Sequence, residues 1–154
     1  MVEGGRDLSE QQDIKADANK KQWHLWLVGI LTLLWNGSGT YTFLMAQAGK
    51  LTGLSAEEQA YYADQPLWFA VSTDIALLTA VAAGVALLLR SGAALWFFAA
   101  SFSLIILNNL YELISGASRM LVNQDAIVLT TVVIIVAALQ LAYTWVMRNR
   151  GAFN

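Results

Sequence analysis

Apolar residues gather in four long runs, roughly 23–47, 67–89, 93–115 and 126–147, and most of the charges fall between them. Between Leu67 and Leu89 the only charged residue is Asp74. Between Ala93 and Ser115 it is Glu112, and between Ala126 and Met147 there is none. A helix needs about 20 residues to cross the hydrocarbon core of a bilayer. The pattern therefore predicts an all-α integral membrane protein, a bundle of four transmembrane helices over residues 23–147. A cytoplasmic polar lead-in helix over 1–22 precedes it and a cytoplasmic tail over 148–154 follows. Ser9 with Gln12 forms the pattern of a capping box in the lead-in, and Asp17 with Lys21 an i,i+4 pair.

Between the first two runs, Gly49 and Gly53 mark an exit loop, and Ser55 with Glu58 forms another capping-box pattern. These residues predict a short surface helix over 56–63, anchored in the interface by Tyr61 and Tyr62. Pro66 then stands at the first turn of the second span, where a helix tolerates it best. Arg90-Ser91-Gly92 is a very tight link, so the second and third spans form an antiparallel hairpin. Ser72, Ala76, Ala80 and Gly84 recur at four-residue spacing along the second span, a ladder of small residues that suits close helix packing.

The polar interruptions carry the functional expectations. Trp35-Asn36-Gly37-Ser38-Gly39-Thr40-Tyr41 places an amide, two hydroxyls and a phenol inside an apolar run. Such groups cost free energy in hydrocarbon unless paired, so this face is expected to look inward. By depth, Asn36, Ser38, Thr40, Tyr41, Asp74, Asn108 and Glu112 fall in one half of the membrane, joined there by Thr130 and Thr131. They are the candidate ligand-binding or polar-core residues. No Lys or Arg lies within the spans to pair with Asp74. Its carboxyl is expected either to be protonated or to be hydrogen-bonded to Asn36, Asn108, Tyr41 or water.

Charge sets the expected orientation. Arg6, Lys15, Lys20, Lys21, Arg90, Arg148 and Arg150 lie on one side, and only Lys50 and Arg119 on the other. The positive-inside rule then places both termini in the cytoplasm and the polar half of the bundle toward the outside. The acidic residues before Trp23 and the length of the first apolar run argue against a cleaved signal peptide, although Ala46-Gln47-Ala48 has the small-x-small form of a cleavage site. The chain has no cysteine, which excludes disulfides and thiolate chemistry. The single histidine, His24, lies at the cytoplasmic interface far from both acids, so no metal site and no cofactor are expected. No nucleophile–base set accompanies Asp74 and Glu112, so no catalytic residues are assigned and the protein is read as no enzyme. No basic patch exceeds Lys20-Lys21, and no nucleic-acid partner is expected. Trp96, Phe97, Phe98 and Phe102 read as lipid- and core-facing packing.

At Trp35-Asn36, Gly39, Tyr41 and Met45, through the loop Leu54 to Tyr62 and at Pro66-x-Trp68, the chain resembles a family of small four-helix bacterial inner-membrane proteins. Members commonly carry the label "sugar transporter". The likeness is weaker from Asn108 to Ser115 and does not extend to the charged N-terminus. Family members often have an acid just before the tyrosine matching Tyr41. Here that position is Thr40, which leaves Asp74 as the acid to take over any such role. The resemblance implies a multi-pass protein of the bacterial inner membrane.

Two functional readings remain open. One is a small-molecule binding or transport protein with an outward-facing polar cavity, built as a homodimer along the ladder of Ser72, Ala76, Ala80 and Gly84. The other is an accessory or structural subunit of a larger membrane complex. In both the lipid bilayer is the immediate partner.

Overall fold

The computed structural model describes residues 23–115 and 124–153, with the side chains of 124–126 not described. The described residues form five helices: α1 over Trp23–Gln47, α2 over Ala56–Ala63, α3 over Leu67–Leu88, α4 over Ala93–Ser115 and α5 over Gln124–Asn149. No strand occurs among the described residues. The lead-in over 1–22 with its Ser9–Gln12 capping box, and the loop carrying Gly116 and Arg119, lie outside them.

Among the described residues, three helices are long and apolar enough to cross a membrane: α3, α4 and the Ile127–Asn149 part of α5. Their apolar side chains face outward as well as inward. Leu78, Val85, Ile106, Leu107, Leu110, Ile135 and Leu139 are all exposed, an arrangement that suits hydrocarbon and not water. The chain is thus a helical membrane protein. At 25 residues α1 is also long, about 37 Å at 1.5 Å per residue. Asn36, Gly37, Ser38, Gly39 and Thr40 dilute its apolar content, and it is not one of those three.

The longest contacts run along α3, which packs against both α4 and α1, while α4 packs in turn on α5 and short α2 leans on α1. Successive long helices are antiparallel. One end of the bundle holds Trp23, the α3–α4 turn at Arg90 and Asn149; the other holds α2.

The small-residue ladder of α3 is used inside this arrangement. Ala76 and Ala80 are buried, and a Cβ added at Gly84 would stand 3.5 Å from the Leu33 Cα and the Thr32 Cγ2 of α1. Ser101 of α4 donates to the Ala76 carbonyl at 2.8 Å, and Ser72 donates to Asn108 Oδ1 at 2.7 Å. The ladder thus lets α1 and α4 approach α3 from two sides. It is not free to form a contact between two copies, and the homodimer expected along it would need another face.

The Arg90 end is closed by apolar packing. Leu25, Ala86, Leu87, Ala94 and Met147 form a buried cluster, covered by Val28, Tyr143, Val146, Ala152 and Phe153. Three helix ends finish in the same way. The residue after the cap is left-handed and donates to a carbonyl three back, and the next one donates to a carbonyl five back. Gly49 (φ 64°) serves after α1 and Gly151 (φ 67°) after α5, but Arg90 (φ 53°) takes the position after α3. There Arg90 N–H donates to Leu87 O at 3.0 Å and Ser91 N–H to Ala86 O at 2.8 Å. A side chain in that conformation costs about 1–2 kcal/mol. At α2 both halves of the capping box form: Glu58 N–H donates to Ser55 Oγ at 3.2 Å, and Ser55 N–H donates to Glu58 Oε2 at 2.7 Å.

Candidate functional site

In the α2 half of the bundle the helices part around a cavity of about 500 Å³. All five contribute to its wall. α1 supplies Trp35, Asn36, Ser38, Gly39, Thr42 and Phe43, and α2 supplies Tyr61 and Tyr62 as a roof. Thr73, Ala76, Leu77 and Ala80 come from α3. Ser101, Asn108, Asn109 and Glu112 come from α4, and Thr130, Val133, Ala137 and Gln140 from α5.

The floor is an amide pair. The Asn36 Nδ2 group donates to Gln140 Oε1 and to the Ala80 carbonyl, both at 3.4 Å. These long bonds tie α1 to α5 and to α3, and the 2.9 Å hydrogen bond between His24 Nδ1 and the Tyr143 hydroxyl joins α1 to α5 again nearer the Arg90 end. On the α3–α4 wall Asn108 is held on both sides. It accepts from Ser72 and donates to Thr73 Oγ1 at 2.9 Å, and Thr73 passes its own proton to Phe69 O at 2.9 Å. A buried amide satisfied in this way is fixed in orientation.

The roof is fastened by two contacts. The Tyr61 hydroxyl donates to Glu112 Oε1, and the Tyr62 ring meets Phe43 of α1 edge-on at 5.7 Å between centroids. Burial, reinforced by the neighbouring Glu112 carboxylate, raises the Tyr61 pKa well above the ordinary phenol value. Burial followed by the Glu58 and Glu112 charges raises that of Tyr62. Both phenols therefore remain protonated donors across the physiological range. At Gly39 the wall is bare: a Cβ there would meet nothing within 4 Å. A longer side chain at this position would occupy the cavity without striking the wall at its root.

Four of the candidate residues, Asn36, Ser38, Asn108 and Glu112, line the cavity; Thr40, Tyr41 and Asp74 do not. Thr40 is buried and donates back to the Asn36 carbonyl at 2.7 Å, within α1. Tyr41 is 64% exposed and points away from the bundle centre. Asp74 is half-buried, and its Oδ1 has no hydrogen-bond partner among the described residues. Of the alternatives expected for Asp74, a protonated carboxyl or a bond to Asn36, Asn108, Tyr41 or water, the two amides are directed elsewhere, to Ala80, Gln140, Ser72 and Thr73. The reason is rotation about the helix: Thr73 turns toward α4 and Asp74, one residue on, is about 100° round. Gly37 and Gly39 admit no neighbouring backbone, and α1 runs through them without a break.

Gln140, Ser101 and Thr73 belong to the site although sequence reasoning passed them over. Gln140 had a signal, as a lone amide in an otherwise apolar span. Tyr61 and Tyr62, read as interfacial anchors, form the roof. Phe98, read with packing aromatics, is buried and reaches the wall. No group of three or more metal-binding side chains occurs among the described residues. The lining offers amides, hydroxyls, phenols and one carboxylate between apolar walls, the mixture found in small-molecule pockets.

These features define a small helical membrane protein with a largely apolar cavity into which a few polar side chains project. A scan against protein-family models, a search of curated proteins and a search of solved structures each return no match for the chain.

Proposed function

We propose that the chain is a four-span protein of the bacterial inner membrane that binds a small polar molecule in this chamber and passes it across the bilayer. α1 is the fourth span in this reading. Its outer face, Trp26, Leu27, Ile30, Leu31 and Leu34, is exposed and as apolar as that of the other helices. The Lys and Arg bias puts the Arg90 end and both termini in the cytoplasm, so the chamber faces outward beneath α2. The carrying observation is the 500 Å³ cavity with polar side chains from every helix, within the range of small-ligand sites. Monosaccharides are the first ligands to test, on the strength of the residues shared with the family labelled as sugar transporters.

The test is uptake of labelled monosaccharides by liposomes carrying the purified protein. Gly39→Leu and Asn36→Leu are expected to lower uptake strongly, and Asp74→Asn, outside the chamber, to leave it near wild type. Equal uptake by wild type and both chamber variants removes the assignment.

The accessory-subunit reading is favoured by α5, whose membrane-spanning window is only 6% buried within the chain. A face so little covered suits a partner helix. Purification in mild detergent separates the two readings, since a lone monodisperse species speaks against a subunit.

A further inference from the structure

Toward the Arg90 end, α4 and α5 separate on their outer side and leave a second, shallower groove of about 340 Å³. Its lining is Leu95 and Phe102 from α4 with Ala138, Leu141, Ala142 and Trp145 from α5, and it contains no charged side chain. Ala138 and Ala142, one turn apart, make the floor low, while Leu141, Trp145, Leu95 and Phe102 stand at its edges. From Ala138 to Trp145 the groove runs about 10 Å along the helix axis. It is unconnected with the chamber residues, sharing none of them.

One turn beyond Trp145, at the mouth of the groove, the Arg148 guanidinium lies over the Trp96 ring, 5.6 Å from its centroid. Stacking on an aromatic face holds a guanidinium in place and leaves its edge donors pointing outward. The described residues of this end, 23–28, 86–97 and 143–153, contain Arg90, Arg148 and Arg150 and no Asp or Glu. Trp96 and Trp145 are both largely exposed, as indoles are where hydrocarbon meets headgroups. An apolar trough with a cation fixed just beyond its end matches one molecule in both its parts. That molecule has an aliphatic chain and an anionic head.

We propose that this groove is a binding site for one anionic phospholipid, with an acyl chain laid over Ala138 and Ala142 and its phosphate held by Arg148. The site acts on the stability and retention of lipid by this chain and is independent of what the chamber holds. Basic pockets at membrane helix ends hold anionic headgroups by the same charge pairing.

The experiment is native mass spectrometry of the full chain, delipidated in detergent and reloaded with phosphatidylglycerol or phosphatidylcholine. One phosphatidylglycerol per chain is expected to survive detergent activation, and phosphatidylcholine to be lost. Removing one cation near the headgroup plane is worth about fivefold in affinity, so Arg148→Gln should reduce retention by about that factor. Ala142→Leu, which raises the groove floor on an exposed side, should reduce retention with the charge intact. Lys50→Gln, at the opposite end, should leave it unchanged. Equal retention of the two lipids overturns the site, as does an unchanged result for both Arg148→Gln and Ala142→Leu. A dimer that Ala142→Leu dissociates also overturns it, because a second chain then fills the groove.

Discussion

Asn108 offers the most direct measurement of what holds the chamber wall. Its side chain is 6% exposed and makes two hydrogen bonds between α4 and α3, from Ser72 at 2.7 Å and to Thr73 at 2.9 Å. Replacement by Leu keeps the forked outline, with somewhat bulkier methyl groups, and removes both. Neither hydroxyl is then stranded. Thr73 already donates to the Phe69 carbonyl, and Ser72 can turn to a carbonyl of its own helix as Thr79 does to Ile75 at 2.7 Å. The loss is therefore that of two interhelical bonds without a buried orphan. Such bonds average about 0.6 kcal/mol in membrane proteins, with a maximum near 1.7. Asn108→Leu should cost about 1–2 kcal/mol, a factor of roughly 5–30 in the folding equilibrium. The assay is reversible unfolding in mixed micelles, followed by tryptophan fluorescence, with Ser72→Ala and the double variant completing a cycle. The cycle should return a coupling of about 0.6 kcal/mol. Additivity within about 0.3 kcal/mol would refute the wall described here, since independent sites behave in that way.

Gly84→Ala should be tolerated within about 0.5 kcal/mol, because its Cβ meets Leu33 at an ordinary 3.5 Å. Gly84→Leu should lose roughly 1–3 kcal/mol by driving α1 from α3, and equal stability of the two would show that the helices do not meet there. Arg90→Gly should raise stability by up to about 1 kcal/mol, the relief of a left-handed side chain less the entropy of glycine. An unchanged or lower unfolding midpoint would contradict the strain at this turn. For Tyr61 and Tyr62 the sign follows from their raised pKa values. The folded state holds those protons longer, so their contribution is fully present below about pH 10 and is lost as pH rises beyond it. Ultraviolet titration should show phenols titrating late in the folded protein and one fewer in Tyr61→Phe; ordinary titration of all five would refute the buried roof.

The helices were legible because their signals are one-dimensional. Unbroken apolar runs, the Ser55–Glu58 pair, Pro66 and the Arg90-Ser91-Gly92 link each act within a few residues, and α1, α3 and α4 begin and end within a residue of the expected ranges. Depth was legible only coarsely: it placed Asn36, Asn108 and Glu112 in the α2 half of the bundle, yet Asn36 stands at the cavity floor against Ala80 and Glu112 under the roof against Tyr61. Azimuth was not legible. Asp74 and Thr73 share a depth and differ by one step of rotation, and only the packing of α3 between α1 and α4 decides which of them meets Asn108. Tyr41 and Asn36 divide in the same way on α1. Tyr61 and Tyr62 depended on how α2 folds back, which rests on contacts with Phe43 and Glu112 from distant parts of the chain.

The turn at Arg90 also governs what can move. With Arg90, Ser91 and Gly92 as the whole connection, and Ser91 bonded back to Ala86, α3 and α4 have no slack and travel as one body. α1 is tethered to α3 by the longer stretch containing α2, and it reaches α5 through Asn36–Gln140 and His24–Tyr143. A change in chamber volume is therefore a displacement of α1, α5 or the α2 roof against the hairpin. Distances measured between spin labels on α3 and α4 should serve as the fixed ruler for such motion, and those from α3 to α1 or α5 as its readout.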